Sequence, residues 1–542
     1  MTAIRIAVEG CGHGTLHAIY ASVEQSCKVK GWPGVDLLII CGDFQAVRNA
    51  YDLNCVAMPA KYREMCDFHE YYSGARKAPY LTVFVGGNHE ASNYLFELYY
   101  GGWVAENIYY MGAANVLQLG PLRIAGMSGI WKGYNYKKLH YERLPYNEDD
   151  IKSIYHVREL DTRKLLQLQG AVDVGISHDW PRGVEWKGDH EALFRRKEHL
   201  KPDAESNQLG NVAAKLVLDK LQPYWWFSGH LHCKFAAVIE HGHAESNGHV
   251  GAEQKDSTAE ASAKVVNEDE IDLDMGDMAA LASQSSALTA AVDNPDEIDL
   301  GMSEDEDLSS KNIPVPAIVQ AKVDDLAKGS IGKGKIPAAN GISTKVTHFL
   351  ALDKCLPGRD FLQLLEYPVE QDLEQIRPLR LAYDKEWLTI TRAFAIHERL
   401  ILGDSKFNAP PAATQEEYSK MIEGEKIFVD QLSDAQLLVP ENFSLTAPVY
   451  DGGNIHDRRY SQPAGGLKEY TNPQTSAFCS LLDIRNPFDL SEDERVERME
   501  KGPAPASDRS TFSGGRGRGR GGRGGSHNRG RGGFRGHSRG RG

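Results

Sequence analysis

The stretch Tyr224-Trp225-Trp226-Phe227-Ser228-Gly229-His230-Leu231-His232 decides the fold. Its first half is an aromatic, strand-like run. Its second half places two imidazoles at i and i+2, just past a glycine. Strand side chains alternate with period 2, so His230 and His232 can share one side of an extended backbone. Neutral imidazole is the commonest metal-binding side chain. Such a pair alone is equally well a polar surface pair. Four stretches upstream change the balance: Cys11-Gly12-His13, Gly42-Asp43, Gly87-Asn88-His89-Glu90 and Ser177-His178-Asp179. Each also follows an apolar, strand-like run.

Those runs are residues 4–8, 35–40, 81–85 and 172–176. Residues 116–119 and 122–125 read as a hairpin around Gly120-Pro121, and residues 235–239 are expected to pair back on the aromatic strand as another. Residues 16–29 and 212–221 have helical apolar spacing, and Pro223 closes the second. Strands alternating with helices, with polar residues at each strand's carboxyl end, describe an α/β domain with its site at that edge. Loops are polar in any protein, so one such end means nothing. Five in a row, each with His, Asp, Asn or Cys beside Gly, point to a metal site.

Composition sets the frame. At 542 residues and 41% apolar content the chain has room for two or three domains and a sizeable core. The net charge of −14 argues against a nucleic-acid partner only as an average. From residue 513 to the end there are nine Arg and no acidic residue, while residues 245–307 hold 18 Asp/Glu against two Lys. The eight cysteines include no CxxC pair, no cleavage pattern follows residues 4–8, and no apolar window is long enough to span a bilayer. A soluble protein of a reducing compartment with free thiols, and with no membrane partner, is expected.

Between the hairpin and His178 lies a segment, residues 131–158, rich in aromatic and basic side chains. Trp131, Lys132, Tyr134, Tyr136, His140, Tyr141, Tyr155, His156 and Arg158 are its candidate substrate contacts. Aromatics stack on bases and cations meet phosphates; packed tyrosines on a solvated segment are the bland reading. Residues 243–343 collapse into Ala, Ser, Gly, Asp and Glu, with Asp-Glu-Ile-Asp-Leu twice, at 269–273 and 296–300. Dense like charge with little apolar content predicts a disordered acidic insert. Folded character resumes, so residues 344–490 are expected to form a smaller C-terminal α+β domain. Residues 491–542 are expected to form a disordered tail whose Arg/Gly repeats suit non-specific contacts with RNA or ribonucleoprotein.

The five stretches resemble the calcineurin-like metallophosphoesterases, whose pattern runs Asp-x-His, Gly-Asp, Gly-Asn-His-Asp/Glu, His, Gly-His-x-His. Here it reads His13, Asp43, Asn88-His89-Glu90, His178 and His230-x-His232, within residues 4–239. The first position departs, with Cys11 where that family usually carries Asp. Together with the 131–158 insert and Asp353-Lys354-Cys355-Leu356-Pro357-Gly358-Arg359, this resembles the RNA-debranching branch of the family. The resemblance implies a β-sandwich flanked by helices over residues 1–242. It also implies hydrolysis of the 2′–5′ phosphodiester of branched (lariat) RNA, in the nucleus.

Two cations about 4 Å apart can clamp a phosphate and lower the pKa of a bound water. Asp43, the only carboxylate at a Gly-flanked strand end, is the candidate bridge. One or two divalent metals are then expected. Asn88, His178 and His230 would take one; His13 and His232 would take the other, with Cys11 beside it or bound to it. A thiolate favours Zn²⁺ or Fe²⁺, and a carboxylate-rich site suits Mn²⁺. The resemblance implies that His89 protonates the leaving oxygen, a task suited to a group titrating near neutrality. A general phosphodiesterase or phosphatase on the same scaffold, and a non-catalytic RNA-binding scaffold, are the competing readings.

Overall fold

The computed structural model describes residues 2–242, 346–370, 372–374, 376–398, 402, 408–463 and 466–503. The acidic stretch and the Arg/Gly repeats fall outside the described residues, and the start of the expected disordered tail is instead a helix, Glu492–Lys501, capped by Ser491. Two sheets pack face to face. The first runs β12-β1-β2-β3-β5-β4 and the second β10-β11-β9-β8-β7-β6-β13. The first takes β1 (Thr2–Glu9), β2 (Leu37–Ile40), β3 (Thr82–Phe84), β4 (Gly102–Ala105), β5 (Ile108–Tyr110) and β12 (Leu362–Val369). The second takes β6 (Ala114–Leu119), β7 (Leu122–Met127), β8 (Val174–Ser177), β9 (Trp225–Ser228), β10 (Phe235–Glu240), β11 (Val346–Ala351) and β13 (Leu381–Tyr383).

Residue alternation explains why the central strands are largely apolar on both faces. Ile4, Ile6 and Val8 of β1 and Leu37 and Ile39 of β2 face the second sheet's Ile124, Val174, Ile176 and Phe227. Ala7, Leu38 and Ile40 point the other way, into the cluster that holds the helix Leu16–Lys30. That helix buries Leu16, Ile19, Tyr20, Val23 and Cys27, one stripe at helical spacing. Strands covered on both faces lose the polar half of their pattern. The result is the helix-flanked sandwich expected from the sequence. All eight cysteines are free thiols. No described helix is long and apolar enough to cross a membrane.

The hairpin around Gly120-Pro121 forms as expected, with Leu119 opposite Leu122. The expected pairing of residues 235–239 on the aromatic strand does not. β11 lies between β9 and β10, parallel to the first and antiparallel to the second. The loop through His230 and His232 turns the chain away, and a strand from beyond residue 345 takes the vacated place. β12 pairs with β1 along its whole length, and β13 adds to β6. The connection from β11 to β12 therefore crosses from one sheet to the other. It passes beside Cys11, which makes a parallel bridge to Lys354.

Candidate active site

Every ligand candidate follows a strand that ends at one edge of the sandwich. Cys11 and His13 follow β1, Asp43 follows β2, Asn88 and His89 follow β3, His178 follows β8, and His230 and His232 follow β9. His13, Asp43, His230 and His232 have positive φ, at 41°, 46°, 67° and 46°. L-residues rarely adopt this region, and each instance costs about 1–3 kcal/mol. The surrounding structure imposes the strain, as it does at ligand clamps. It also corrects the expectation for His230 and His232. Neither lies on extended backbone, so strand alternation does not place them together. His232 turns toward His13, whereas the His230 ring packs on His178, with centroids 4.9 Å apart.

Two glycines permit the crowding. A Cβ on Gly42 (φ +114°) would sit 2.2 Å from Nδ1 of His178, and one on Gly87 2.1 Å from Oδ1 of Asp43.

Ligating atoms of Cys11, His13, Asp43 and His232 all lie within 4.8 Å of one another. Nε2 of His13 and Nε2 of His232 are 3.1 Å apart. The Cys11 Sγ accepts the His230 backbone N–H at 3.0 Å. Around the same carboxylate a second set gathers. Asp43 Oδ2 is 3.3 Å from Nε2 of His178 and 3.7 Å from Nε2 of His13. Asn88 Oδ1 is also 3.3 Å from Nε2 of His178. His178 donates from Nδ1 to the Cys41 carbonyl at 2.8 Å, which leaves Nε2 aimed at two oxygens. This is the outer hydrogen bond that orients a metal-binding histidine. Donor atoms about 3–3.5 Å apart are what bonds of about 2.0–2.2 Å to one cation require. The residues fit divalent metal, with Asp43 lying between the two sets.

The electrostatics agree. Burial drives His13 and His230 well below the usual imidazole range, so both are neutral and free to ligate. Burial would raise Asp43, but the imidazoles of His178 and His89 outweigh it and hold the carboxylate ionised. Burial, with Asp43 and Glu9 adding, pushes the Cys11 thiol up. A bound cation reverses that balance.

His89 donates its backbone N–H to Asp43 Oδ1 at 2.9 Å, and its ring lies 5.6 Å from that of His13. Sequence reasoning gave Glu90 no role. It is buried and accepts N–H bonds from Phe44 (2.8 Å), Gln45 (2.8 Å) and Gly87 (3.0 Å), tying together the loops after β2 and β3. Its position directly after His89 was the available signal. Arg48 was missed as well. It is fully buried and bonded to Asp52 and Glu97, and it reaches Thr446. Nothing in its local pattern marks it.

Burial divides the nine expected substrate contacts. Tyr134 is 54% exposed, and Trp131, Lys132, Tyr136, Tyr141 and Tyr155 are half-buried. Trp131 is anchored by its backbone N–H on Asp179 (3.1 Å), and Tyr141 donates its hydroxyl to Ser153. His140, His156 and Arg158 are buried. Arg158 donates to Glu142 and to the carbonyls of Asn135 and Ser153. His156 bonds Asn135 and His140 bonds Asp161. These three hold the insert together and support its surface instead of forming it.

The calcineurin-like phosphoesterase family model matches residues 4–234, and that of the lariat debranching enzyme C-terminal domain matches residues 344–487. The chain is 39% identical over 485 residues to a lariat debranching enzyme of Schizosaccharomyces pombe, covering 89% of this chain and 96% of that one. It is 38% identical to that of Homo sapiens, over 89% of this chain and 69% of the other. With that of Danio rerio it shares 37% identity over 90% and 67%.

Proposed function

The chain belongs to the lariat debranching enzyme family, and on that footing we propose that it hydrolyses the 2′–5′ phosphodiester of branched RNA and releases a linear strand. One observation carries the reading: the donor atoms of two sheets meet around Asp43 at one edge, beside an insert that keeps Tyr134 in solvent.

Cys11, His13 and His232 would hold one divalent metal and Asn88, His178 and His230 a second, with Asp43 available to both. Metal bound there supplies charge neutralisation at the phosphate and a more acidic water. The thiol of Cys11 would favour Fe²⁺ or Zn²⁺ over harder ions. His89, fixed through its backbone on Asp43, gives its proton to the departing 2′-oxygen. Trp131, Lys132, Tyr134, Tyr136, Tyr141 and Tyr155 meet the nucleotides around the branch, over the frame set by His140, His156 and Arg158. The enzyme acts in the nucleus, where branched introns arise, and the Arg/Gly tail adds sequence-independent contacts to RNA or ribonucleoprotein.

Purified protein with divalent metal should linearise a branched RNA and leave linear 3′–5′ RNA intact. Equal cleavage of both would favour a general phosphodiesterase.

A further inference from the structure

A branch point joins three RNA strands, and the insert after β7 lies on one flank of the metal edge only. Among the described residues two large aromatic side chains stand exposed, Tyr134 in that insert and Trp186, which is 42% exposed. Trp186 belongs to the loop after β8, eight positions beyond His178. Its ring meets those of His190 (5.1 Å) and Phe194 (5.6 Å), so it is a braced plate and not a loose side chain.

The loop reaches the strand that leaves the metal edge. Gly188 bridges Ala237 of β10, the strand that leaves the His230–His232 loop. The short helix His190–Arg196 follows, and Arg196 donates to the Lys234 carbonyl at 3.0 Å, two residues past His232. Lys197 caps the carboxyl end of that helix. Lys187 is exposed beside the plate, and the nearby Glu191 pairs with Arg195. Exposed aromatic surface with cations along one edge is the chemistry that holds single-stranded nucleic acid.

We propose that Trp186, with Lys187, Arg196 and Lys197, forms a second RNA-binding shelf that carries one single-stranded arm of the substrate away from the metal edge. The shelf rests on the debranching reading and extends it from the branch nucleotide to the strand leaving it. In the same loop, Arg182 sets its guanidinium 5.9 Å from the Trp131 ring of the insert.

The test uses the full chain with divalent metal and two RNAs sharing one branch, the first with long single-stranded arms and the second trimmed to single nucleotides. Trp186→Ala should raise KM for the long-armed RNA about tenfold more than for the trimmed one, as expected for one lost stacked base. Trp186→Phe should restore it. Lys187→Ala combined with Lys197→Ala should flatten the salt dependence of KM for the long-armed RNA. Equal changes on both RNAs, or no change on either, would overturn the shelf. If wild-type protein opens neither branch, the debranching reading fails instead. The shelf then still stands or falls on whether Trp186→Ala weakens binding of a long unbranched strand.

Discussion

Nε2 of His13 and Nε2 of His232 face each other across 3.1 Å, from loops that follow strands of different sheets. A proton shared between the rings, or a cation bound by both, meets that pose. Chelation of divalent metal should therefore abolish debranching and lower Tm. Saturating metal, about 100-fold above Kd, should add about 2.7 kcal/mol of stability. His232→Ala should lose most of that metal-dependent increment in a thermal melt. An increment retained in full would remove His232 from the ligand set.

Cys11 is where the chain departs from its wider superfamily. Cys11→Ser should reduce iron and zinc content per chain after anaerobic purification and shift the activating metal toward Mn²⁺. Mild oxidation should inhibit wild type more than the variant. Identical metal content and preference would make Cys11 a neighbour only.

His89→Gln should lower kcat by about 10²–10⁴-fold while RNA affinity and metal content persist, because the lost group's part in the reaction is proton transfer. Loss of RNA binding, with metal intact, would assign the ring a recognition role.

The insert offers a paired comparison. Arg158→Ala strands the buried Glu142 carboxylate and should cost about 3–5 kcal/mol in stability. Tyr134→Ala should stay within about 0.5 kcal/mol of wild type. Its effect belongs in RNA affinity, about 1–3 kcal/mol for a lost stacking platform. Denaturant melts and RNA titrations on the two variants check both halves.

Gly42→Ala tests the crowding at the edge. Its Cβ would meet His178 Nδ1 at 2.2 Å, and φ there is +114°. His178 should be driven from the Cys41 carbonyl, with activity and metal lost together. A fully active variant would show that the loop after β2 can yield.

The metal edge was legible because strand, glycine and ligand are local in sequence. Each of the five stretches carries its own apolar run and its own turn, and the structure needed only to bring them to one edge. Three features were not legible, for physical reasons. β11 pairs between β9 and β10 from more than a hundred residues away, and no local pattern announces so distant a partner. His230 and His232 were read as strand residues, but both have left-handed backbone. Arg158 and Lys132 look alike in a basic, aromatic segment, yet burial turns one into a support and leaves the other half in solvent. Composition records which side chains are present and not which way they face.

Glu240 stands opposite Val346 across the β10–β11 ladder. Everything between them leaves from and returns to one point on the sheet. For a flexible connection between two such neighbouring strands, each doubling of its length costs only about 0.6 kcal/mol. The position is therefore an open slot in the gene. Sequence can be added, trimmed or exchanged there over evolutionary time without disturbing a single ligand, and an engineer can place a reporter domain there for the same reason.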